Sequence, residues 1–309
     1  MSTPIQHVKI QIPFSQPGSV IKSQRAFLVL MVILQLFLGS SCKKDVVESI
    51  SEGELQCVVS DLQFGEGPAF YNGSLYFSDI KANTIYRWNE SSGKTIFREN
   101  SGGANGLYSS SEGNLVVCEG GNKRIVSIDP SQKVTLITDS FGGKPYNEPN
   151  DLWISPSGNI YFTDPVFTGT QTQDGLNVYC VLAATGSVKK VVNDLVKPNG
   201  IIGNSAGTLL YVADYGASKI YKYSISSDGS LGNKQLFASV QADGLTIDND
   251  GNLYAASTEV LKFNTNGVLL KRFQVPGTIT NLCYMKASTE KLFITTHTGL
   301  YIEKLGLTF

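Results

Sequence analysis

Short apolar runs alternate with clusters of turn-forming residues from residue 55 to residue 305. The runs are rich in Val, Ile, Tyr and Phe, and they are bounded by Gly, Asn, Asp and Ser, which is the pattern of short β-strands joined by tight turns. In residues 152–162, for example, LWI and IYF flank the turn SPSG. No stretch carries the apolar period of a long helix. The sequence therefore predicts an all-β protein.

The strand pattern also repeats as a unit. Each unit opens on Asn, Asp or Glu, runs into an apolar strand, and closes after a second strand at a residue 13 to 15 positions later. Successive openings lie 38 to 49 residues apart. The nearly constant offset and the variable spacing indicate one repeated hairpin joined by loops of different length. The opening and closing residues are Glu66 and Asp79, Asn105 and Glu119, Asn150 and Asp164, Asn199 and Asp214, Asp243 and Ser257, and Asn281 and Thr296.

Six units of this length, each with room for about four short strands, predict a six-bladed β-propeller. A blade cannot bury both of its faces alone, whereas packing between two neighbours in a closed ring buries them and leaves only short strand edges. One spare strand, LQCVVS (55–60), precedes the first opening, and another, GLYIEKL (299–305), follows the last closing residue. We expect these N- and C-terminal strands to pair in one blade and close the ring. An open β-sandwich is the alternative, although it would not require the constant offset.

Composition and charge narrow the function. The formal net charge is −1 with 17% charged residues, and a near-neutral chain without a basic run argues against nucleic acid as a partner. The two histidines, His7 and His297, leave little material for a Ser-His-Asp triad or a histidine-rich zinc site. None of the five cysteines forms a CxxC pair. We expect Cys118, Cys180 and Cys283 to be small buried residues of strands.

The N-terminal segment is typical of an export signal. Lys22 and Arg25 precede the apolar run AFLVLMVILQLFLGSS (26–41), and Cys42 follows it. A positive flank, an apolar run and small residues before a cysteine resemble a bacterial lipoprotein signal. The usual leucine three residues before the cysteine is here Leu38, four before it.

This segment sets the predicted organisation of the chain. We predict a signal peptide over residues 1–41, a lipid-anchored mature start at Cys42, a tether over 43–53 and the propeller over 54–309. The protein would then be exported to the periplasm or outer membrane, with the lipid as its only membrane contact. Plain secretion is the alternative.

The opening residues of a propeller should meet in space. The innermost strands of all blades run side by side along the central channel, so equivalent positions converge at one mouth. Asn and Asp before glycine are also turn formers that bond their own backbone, and this interpretation stays open for Asn105 and Asn281. Glutamate is a poor turn former, so Glu66 favours a cation site. The predicted ring consists of Glu66, Asn105, Asn150, Asn199, Asp243 and Asn281.

The charges of this ring favour a divalent ion. Carboxylates of Glu66 and Asp243 about 5 Å apart would repel by roughly 3 kcal/mol at an effective dielectric constant of about 20, before the cost of desolvation. A divalent ion balances both charges, and asparagine carbonyls add neutral hard oxygens. Calcium fits best because it accepts several oxygen ligands in loose geometry. Magnesium and manganese fit less well, and the lack of Cys or His among the openings disfavours zinc.

Several stretches resemble the SMP-30/gluconolactonase family, which includes regucalcin-like proteins and bacterial lactonases. The resemblance covers essentially all of residues 55–305, and it implies a six-bladed propeller with one divalent ion at the channel mouth. By motif it implies the ligands Glu66, Asn150, Asn199 and Asp243. The stretches are GEGPAF (65–70), NEPNDL (147–152) before YFTDP (161–165), KPNGI (197–201) before LYVAD (210–214), and ADGLTID (242–248).

The same resemblance implies hydrolysis of lactones, chiefly sugar lactones such as gluconolactone. In this chemistry the cation polarises the lactone carbonyl, and a carboxylate takes the proton of the attacking water. The resemblance implies Asp243 as this base and as the acid that protonates the leaving alkoxide. Asp151 is a less favoured substitute, because a hydrogen bond at the strand entry also explains it. We expect a small-molecule lactone as the partner and a monomer as the assembly.

Residues around the ring are candidates for substrate binding. Three asparagines are predicted to bind sugar hydroxyls at the rim: Asn105, Asn147 and Asn281. Glu148 is the fourth residue predicted to bind substrate. It stands where some relatives carry a basic residue two positions before the ligand asparagine, which disfavours acidic or phosphorylated lactones. Three aromatic residues are either a wall of the site or ordinary packing residues: Tyr146, Phe167 and Tyr215.

Two other functions compete with lactone hydrolysis. A non-catalytic propeller would use the ion as a structural element and bind a glycan or a protein on its face. A strictosidine-synthase-like condensation enzyme would need a catalytic glutamate in the pocket and no metal ring, so the four implied ligands argue against it.

Overall fold

The computed structural model describes residues 53–286 and 289–306. Within these ranges the chain forms strands β1 to β26 and no α-helix, so the all-β prediction is confirmed. In this part of the chain, no helix is long and apolar enough to cross a membrane. The predicted signal peptide, Cys42 and residues 43–52 of the predicted tether lie outside the described residues.

Six four-stranded antiparallel sheets form the blades, which we number in the chain order of their innermost strands. Blade 1 contains β2 (Gly65–Tyr71), β3 (Ser74–Asp79), β4 (Thr84–Asn89) and β5 (Gly93–Glu99). Blade 2 contains β6 (Ala104–Ser109), β7 (Leu115–Glu119), β8 (Arg124–Ile128) and β9 (Val134–Thr138). Blade 3 contains β12 (Leu152–Ile154), β13 (Ile160–Asp164), β14 (Asn177–Val181) and β15 (Val188–Val192).

The remaining blades follow the same plan. Blade 4 contains β16 (Pro198–Gly203), β17 (Leu209–Asp214), β18 (Lys219–Ile225) and β19 (Leu231–Ala238). Blade 5 contains β20 (Leu245–Ile247), β21 (Leu253–Ala256), β22 (Val260–Phe263) and β23 (Leu269–Phe273). Blade 6 contains β24 (Ile279–Lys286), β25 (Glu290–Thr296), β26 (Leu300–Leu305) and β1 (Leu55–Val59). A short hairpin, β10 (Ser140–Phe141) and β11 (Lys144–Pro145), comes between blades 2 and 3 in the chain.

Strands from the two ends of the propeller close the ring. β1 pairs antiparallel with β26, with Cys57 opposite Tyr301, as the spare strands predicted. The innermost strands contact one another in a closed cycle, β2–β6–β12–β16–β20–β24 and back to β2. This cycle confirms the propeller and rules out the open sandwich.

The central channel has two mouths. The opening residues lie at the starts of the innermost strands, at what we call the upper mouth. The far ends of the same strands line the lower mouth, a cavity of about 410 Å³.

Side-chain hydrogen bonds encoded in the sequence build the turns at the lower mouth. In blade 3, the N–H of Gly158 donates to the carbonyl oxygen of Ser155 at 2.8 Å, and the N–H of Asn159 donates to Oγ of Ser155 at 3.0 Å. Gly158 has a φ of 85°, which glycine adopts without strain. In blade 5, Oδ1 of Asp248 accepts from the N–H of Asn252 at 2.8 Å. Such turns fix the register of each hairpin.

The core lies between neighbouring blades. Apolar side chains of adjacent sheets form shared clusters, and Tyr211 of blade 4 and Leu253 of blade 5 belong to one of them. Cys118 and Cys180 are buried free thiols within strands, as expected, whereas Cys283 is only half-buried. Since interior packing of this kind is rigid, the blades hold the starts of the innermost strands in fixed positions.

Candidate metal centre at the channel mouth

Backbone hydrogen bonds join the opening residues across blade boundaries. The N–H of Gly106 donates to the carbonyl oxygen of Asn150, and the N–H of Gly200 donates to that of Asp243, both at 2.7 Å. In each case the donor follows one opening residue, and the acceptor is the opening residue of the next blade. These bonds hold the strand starts side by side at the upper mouth.

The neighbouring blade explains the glycine that follows most opening residues. A Cβ on Gly200 would lie 2.5 Å from the carbonyl oxygen of Asp243, and one on Gly106 would lie 2.7 Å from that of Asn150. Neither glycine has a positive φ. The Asn–Gly pairs of blades 2 and 4 are therefore points of close approach between blades, and the turn-forming interpretation of Asn105 is wrong.

Each of the four predicted ligands has a side-chain oxygen that accepts no hydrogen bond from the described part of the protein, which we call an open oxygen. Glu66, Asn150 and Asn199 are at most 6% exposed, and Asp243 is half-buried. Nδ2 of Asn199 donates to Oδ1 of Asp243 at 2.5 Å, and the N–H of Gly67 donates to Oε2 of Glu66 at 3.0 Å. Among the described residues, Oε1 of Glu66, Oδ2 of Asp243, Oδ1 of Asn199 and the side-chain amide of Asn150 receive or make no hydrogen bond.

Burial and nearby negative charge raise the pKa values of both carboxylates. Burial, and after it the negative charge of Asp243, raise the pKa of Glu66 well above its usual range. Burial raises the pKa of Asp243 to about 7, although the hydrogen bond from Asn199 works against this shift. In addition, the carboxylate of Asp151 acts in the raising direction on both groups. The upper mouth is therefore a buried site with a deficit of positive charge.

These observations fit a hard divalent cation. Two carboxylates and two amides offer open oxygens, and a charge of +2 would offset the burial and the negative charges that raise both pKa values. Within residues 53–286 and 289–306, no group of three or more His, Cys, Asp or Glu side chains could hold a metal ion. A site here would therefore depend on the asparagine oxygens, which are ligands that calcium accepts and soft metals do not favour.

Asn281 supports the ring from within and is not open to a substrate. Its Nδ2 donates to Oε2 of Glu66 at 3.2 Å and to Oδ2 of Asp151 at 3.4 Å. Its Oδ1 accepts from the N–H of Leu282 at 2.8 Å, which is the bond to local backbone that the turn-forming interpretation predicted. Since the side chain is 5% exposed and both ends are used, the predicted role in substrate binding is wrong for this structure.

Asp151 lies where blades 1, 2, 4 and 5 carry glycine. Its Oδ1 accepts from the N–H of Leu152 at 2.9 Å, which is the predicted bond at the strand entry. The carboxyl group is buried, and burial raises its pKa to about 7. It lines the lower cavity, and Asn281 links it to Glu66. This placement favours a supporting role over that of the base.

Asn105 remains a candidate for substrate binding. The residue is half-buried, and its Oδ1 is enclosed without a hydrogen-bond partner in the described part of the chain. Its backbone carbonyl accepts from Oγ of Ser78 at 2.8 Å, which fixes the strand start. An enclosed polar oxygen without a partner is costly, and a donor on a bound molecule would relieve that cost.

The structure corrects the prediction for Asn147. The residue is fully buried, and its side chain holds the long loop between β13 and β14. Oδ1 accepts from the N–H groups of Thr172 (2.8 Å) and Gln173 (2.9 Å). Nδ2 donates to the carbonyl oxygens of Gly175 (2.9 Å) and Asp164 (3.1 Å). With every donor and acceptor in use, Asn147 cannot bind sugar hydroxyls.

Glu148 is also used by the protein itself. Its carboxylate accepts from the backbone N–H of Phe167 at 2.5 Å, from the N–H of Thr168 at 3.1 Å, and from that of Gly169. Oγ1 of Thr168 adds a bond at 3.1 Å. Partial burial disfavours ionisation, but the N–H groups outweigh it and hold the pKa of Glu148 below its usual range. The prediction that Glu148 binds substrate is therefore not supported.

The aromatic candidates divide into packing and rim residues. Tyr146 is fully buried and bonds to Oγ1 of Thr138 at 2.8 Å, so it is a packing residue. Phe167 is 43% exposed, lies edge-on to Tyr215 with ring centroids 6.2 Å apart, and has Nζ of Lys197 4.8 Å from its ring centre. Sequence reasoning missed Lys197, although it precedes Asn199 by two positions as Glu148 precedes Asn150.

Acids at the strand ends hold the loops that lead into the innermost strands. Asp214 accepts from the N–H groups of Val196 (3.0 Å) and Lys197 (2.9 Å), and Asp79 accepts from that of Phe64 (2.9 Å). These acids position the rim of the mouth and take no part in the ring.

Comparisons with known proteins agree with this fold. A family model for the SMP-30/Gluconolactonase/LRE-like region matches residues 64–298. A gluconolactonase of Zymomonas mobilis is 30% identical over 238 residues, 66% of this chain and 67% of the relative. Lactonase drp35 of Staphylococcus aureus is 24% identical over 266 residues, 77% of this chain and 80% of the relative. The solved structure of a gluconolactonase from Xanthomonas campestris has a TM-score of 0.76 at 28% identity, covering 82% of this chain and 89% of its own.

Fold and ring together define a six-bladed propeller with an oxygen-lined candidate ion site at one mouth. The chain belongs to the SMP-30/gluconolactonase/LRE-like family, because the match includes strands of all six blades. The resemblance in the sequence motifs is thereby confirmed.

Proposed function

We propose that this protein is a calcium-dependent lactone hydrolase. The observation that carries the proposal is the set of open oxygens at the upper mouth, from Glu66, Asn150, Asn199 and Asp243. The Zymomonas and Xanthomonas relatives are gluconolactonases and the staphylococcal relative is a lactonase. Among lactones, a sugar lactone such as gluconolactone is therefore the first substrate to test.

A divalent cation bound at this site would polarise the lactone carbonyl and stabilise the negative charge that develops as water adds. Asp243 takes the proton of that water, so that the water oxygen bonds to the carbonyl carbon and the ring C–O bond breaks. The same carboxyl then returns the proton to the departing alkoxide, and the product is the open hydroxy acid. The overall reaction consumes one water and needs no other reactant.

The surroundings of Asp243 suit this role. Asn199 donates to Oδ1 of Asp243 at 2.5 Å, which leaves Oδ2 open. A carboxylate oxygen has two lone pairs, so one can bind the cation while the other accepts the proton of a water. Burial raises the pKa of Asp243 to about 7 in the metal-free site. A bound cation lowers it, so that the carboxylate is ionised and can accept a proton near neutral pH. Asp151 is the weaker alternative because Leu152 and Asn281 already donate to its oxygens.

The proposal is tested by assaying the chelated protein against glucono-δ-lactone and against acyl and aryl lactones. Calcium, magnesium, manganese and zinc are added back singly. We expect hydrolysis above the uncatalysed rate, highest with calcium and on a sugar lactone. If no lactone turns over faster than in buffer with any of the four metals, the proposal is wrong and a binding function is favoured.

A further inference from the structure

Two residues at equivalent positions in neighbouring blades, Glu148 and Lys197, both contact Phe167 at the rim of the upper mouth. Glu148 precedes Asn150 by two positions, and Lys197 precedes Asn199 by two positions. Glu148 binds the backbone that carries Phe167, and Lys197 lies over the ring of the same residue. Phe167 is thus held at the rim of the upper mouth by the two segments that lead into Asn150 and Asn199.

The loop that carries Phe167 is held in place and is not a loose surface loop. One carboxylate binds three consecutive backbone N–H groups and a hydroxyl, from residues 167–169. Asn147 fixes the same loop five positions further on, through the N–H of Thr172 at 2.8 Å. Charge-assisted bonds of this kind are among the strongest hydrogen bonds in proteins. They hold an aromatic ring in an exposed position that core packing does not explain.

Lys197 brings positive charge to this rim. Among the described residues, its ammonium group forms no ion pair, whereas other surface lysines such as Lys94 and Lys190 pair with aspartates. Its Nζ lies 4.8 Å from the centre of the Phe167 ring. The acid nearest to Lys197 along the chain, Asp194, pairs with Lys234. Asp214 and Glu148 accept from backbone N–H groups instead. The rim between blades 3 and 4 therefore offers an exposed aromatic ring and an unpaired cation.

We propose that Phe167, Tyr215 and Lys197 form a recognition wall that selects lactones with an anionic substituent, a phosphate or a second carboxylate, remote from the scissile bond. The proposal rests on the proposed function and names the substrate class of that site. The ring of Phe167 packs against the CH face of the substrate, and Lys197 pairs with its anionic group. Glu148 is a positioning residue that holds Phe167. The proposal is opposite to the expectation from sequence that Glu148 disfavours acidic lactones.

Binding of product acids tests the wall apart from catalysis. Calorimetry on the calcium-loaded protein compares gluconate with 6-phosphogluconate, which adds a phosphate, and with glucarate, which adds a second carboxylate. The comparison shows which of the two anionic groups the protein recognises. We expect at least one of these two more highly charged acids to bind about fivefold more tightly than gluconate, the upper end of the range for a partly exposed ion pair. Lys197→Met should abolish that preference and leave gluconate binding within about twofold. Lys133→Met, an exposed lysine in a turn at the lower end of blade 2, is the matched control.

Kinetics separate positioning by Glu148 from contact with substrate. Phe167→Ala and Glu148→Gln should each raise the KM for 6-phosphoglucono-δ-lactone with little change in kcat. The double variant should be no worse than Phe167→Ala alone, because Glu148 acts only through Phe167. Additive effects would mean that Glu148 touches the substrate and would overturn its role as a positioning residue.

The results of these experiments can reject this proposal and the proposed function independently of each other. Equal binding of gluconate, 6-phosphogluconate and glucarate, or an unchanged preference in Lys197→Met, overturns the wall even if lactones are hydrolysed. A preference that depends on Lys197 in a protein that hydrolyses no lactone supports the wall as an anion-binding site and removes the catalytic proposal.

Discussion

The side-chain amide nitrogen of Asn199 donates a 2.5 Å hydrogen bond to Oδ1 of Asp243, across the boundary between blades 4 and 5. The bond sets the orientation of the amide, because nitrogen and oxygen leave the same carbon in different directions. Oδ1 of Asn199 and Oδ2 of Asp243 stay open as a result. The protein therefore prepares these two oxygens before any ion binds, which is the preorganisation that a tight site requires.

Calcium should stabilise the folded protein through the ring. A ligand at about one hundred times its Kd adds about 2.7 kcal/mol to the free energy of unfolding, which is about 5–10 °C in Tm for a domain of this size. Differential scanning fluorimetry of chelated protein, with and without calcium, measures the shift. Glu66→Gln should abolish the shift, whereas Glu112→Gln, at an exposed lower turn, should keep it. A shift of equal size in both variants would place calcium elsewhere.

Removing the proposed base should stop turnover without unfolding the protein. Asp243→Asn keeps the shape of the side chain but cannot accept the proton, and general-base catalysis is typically worth about 10²- to 10⁴-fold. We expect kcat for glucono-δ-lactone to fall in that range, with Tm in chelator at least as high as in the parent. Asp250→Asn, an exposed residue of the turn after β20, is the control. A fully active Asp243→Asn variant would transfer the role to another group, Asp151 first.

Stability should fall with pH in the absence of metal. Burial raises the folded-state pKa of Asp243 to about 7 and that of Glu66 well above its usual range. The stability that such groups contribute is complete below their unfolded pKa of about 4 and is lost as pH rises through the folded pKa. The Tm of chelated protein should therefore decline between about pH 5 and pH 8, and the stabilisation by calcium should grow over that interval.

Thermal melts at several pH values, in chelator and in calcium, measure both trends. The double variant Glu66→Gln, Asp243→Asn should show a smaller decline, since Asp151 and Asp164, whose pKa values burial also raises to about 7, still contribute. A Tm of chelated protein that rises over the interval would contradict the electrostatics of the site.

Gly200→Ala should damage both stability and the ring. The new methyl group would lie 2.5 Å from the carbonyl oxygen of Asp243, so blades 4 and 5 must move apart. Overpacking of this kind costs about 1–3 kcal/mol, which urea unfolding measures. Gly232→Ala is the matched control, because its methyl group would meet only Oγ of Ser224 at 3.4 Å. Equal stability of the two variants would show that the close approach is not needed.

The sequence predicts the six blades and the ring of opening residues, but it does not predict the contacts of the residues around that ring. The constant offset within each hairpin predicts the blades, and the spare strands at Leu55 and Leu300 predict the closure, because a closed ring leaves few other arrangements. The same logic places Glu66, Asn150, Asn199 and Asp243 at equivalent positions of the innermost strands. The repeat extends over all six blades, so a departure from the pattern at a single residue does not hide it.

Contacts between distant loops were not predictable in this way. Glu148 and Asn147 appear as polar rim residues in the sequence, yet their partners lie in the loop between β13 and β14, about twenty positions further on. The conformation of that loop decides whether the side chains face substrate or backbone, and no period encodes it. The glycine after Asn105 similarly suggests a turn until the carbonyl oxygen of Asn150 is seen beside it.

Titration of calcium into chelated protein, followed by the rate of glucono-δ-lactone hydrolysis and by calorimetry on the same sample, tests the central claim most directly. One calcium per chain should bind, and the rate should rise from the uncatalysed level with half-saturation at the calorimetric Kd. Full hydrolytic activity in excess chelator, or activation at a calcium concentration unrelated to that Kd, would contradict an ion held by Glu66, Asn150, Asn199 and Asp243 as the activator of the lactone.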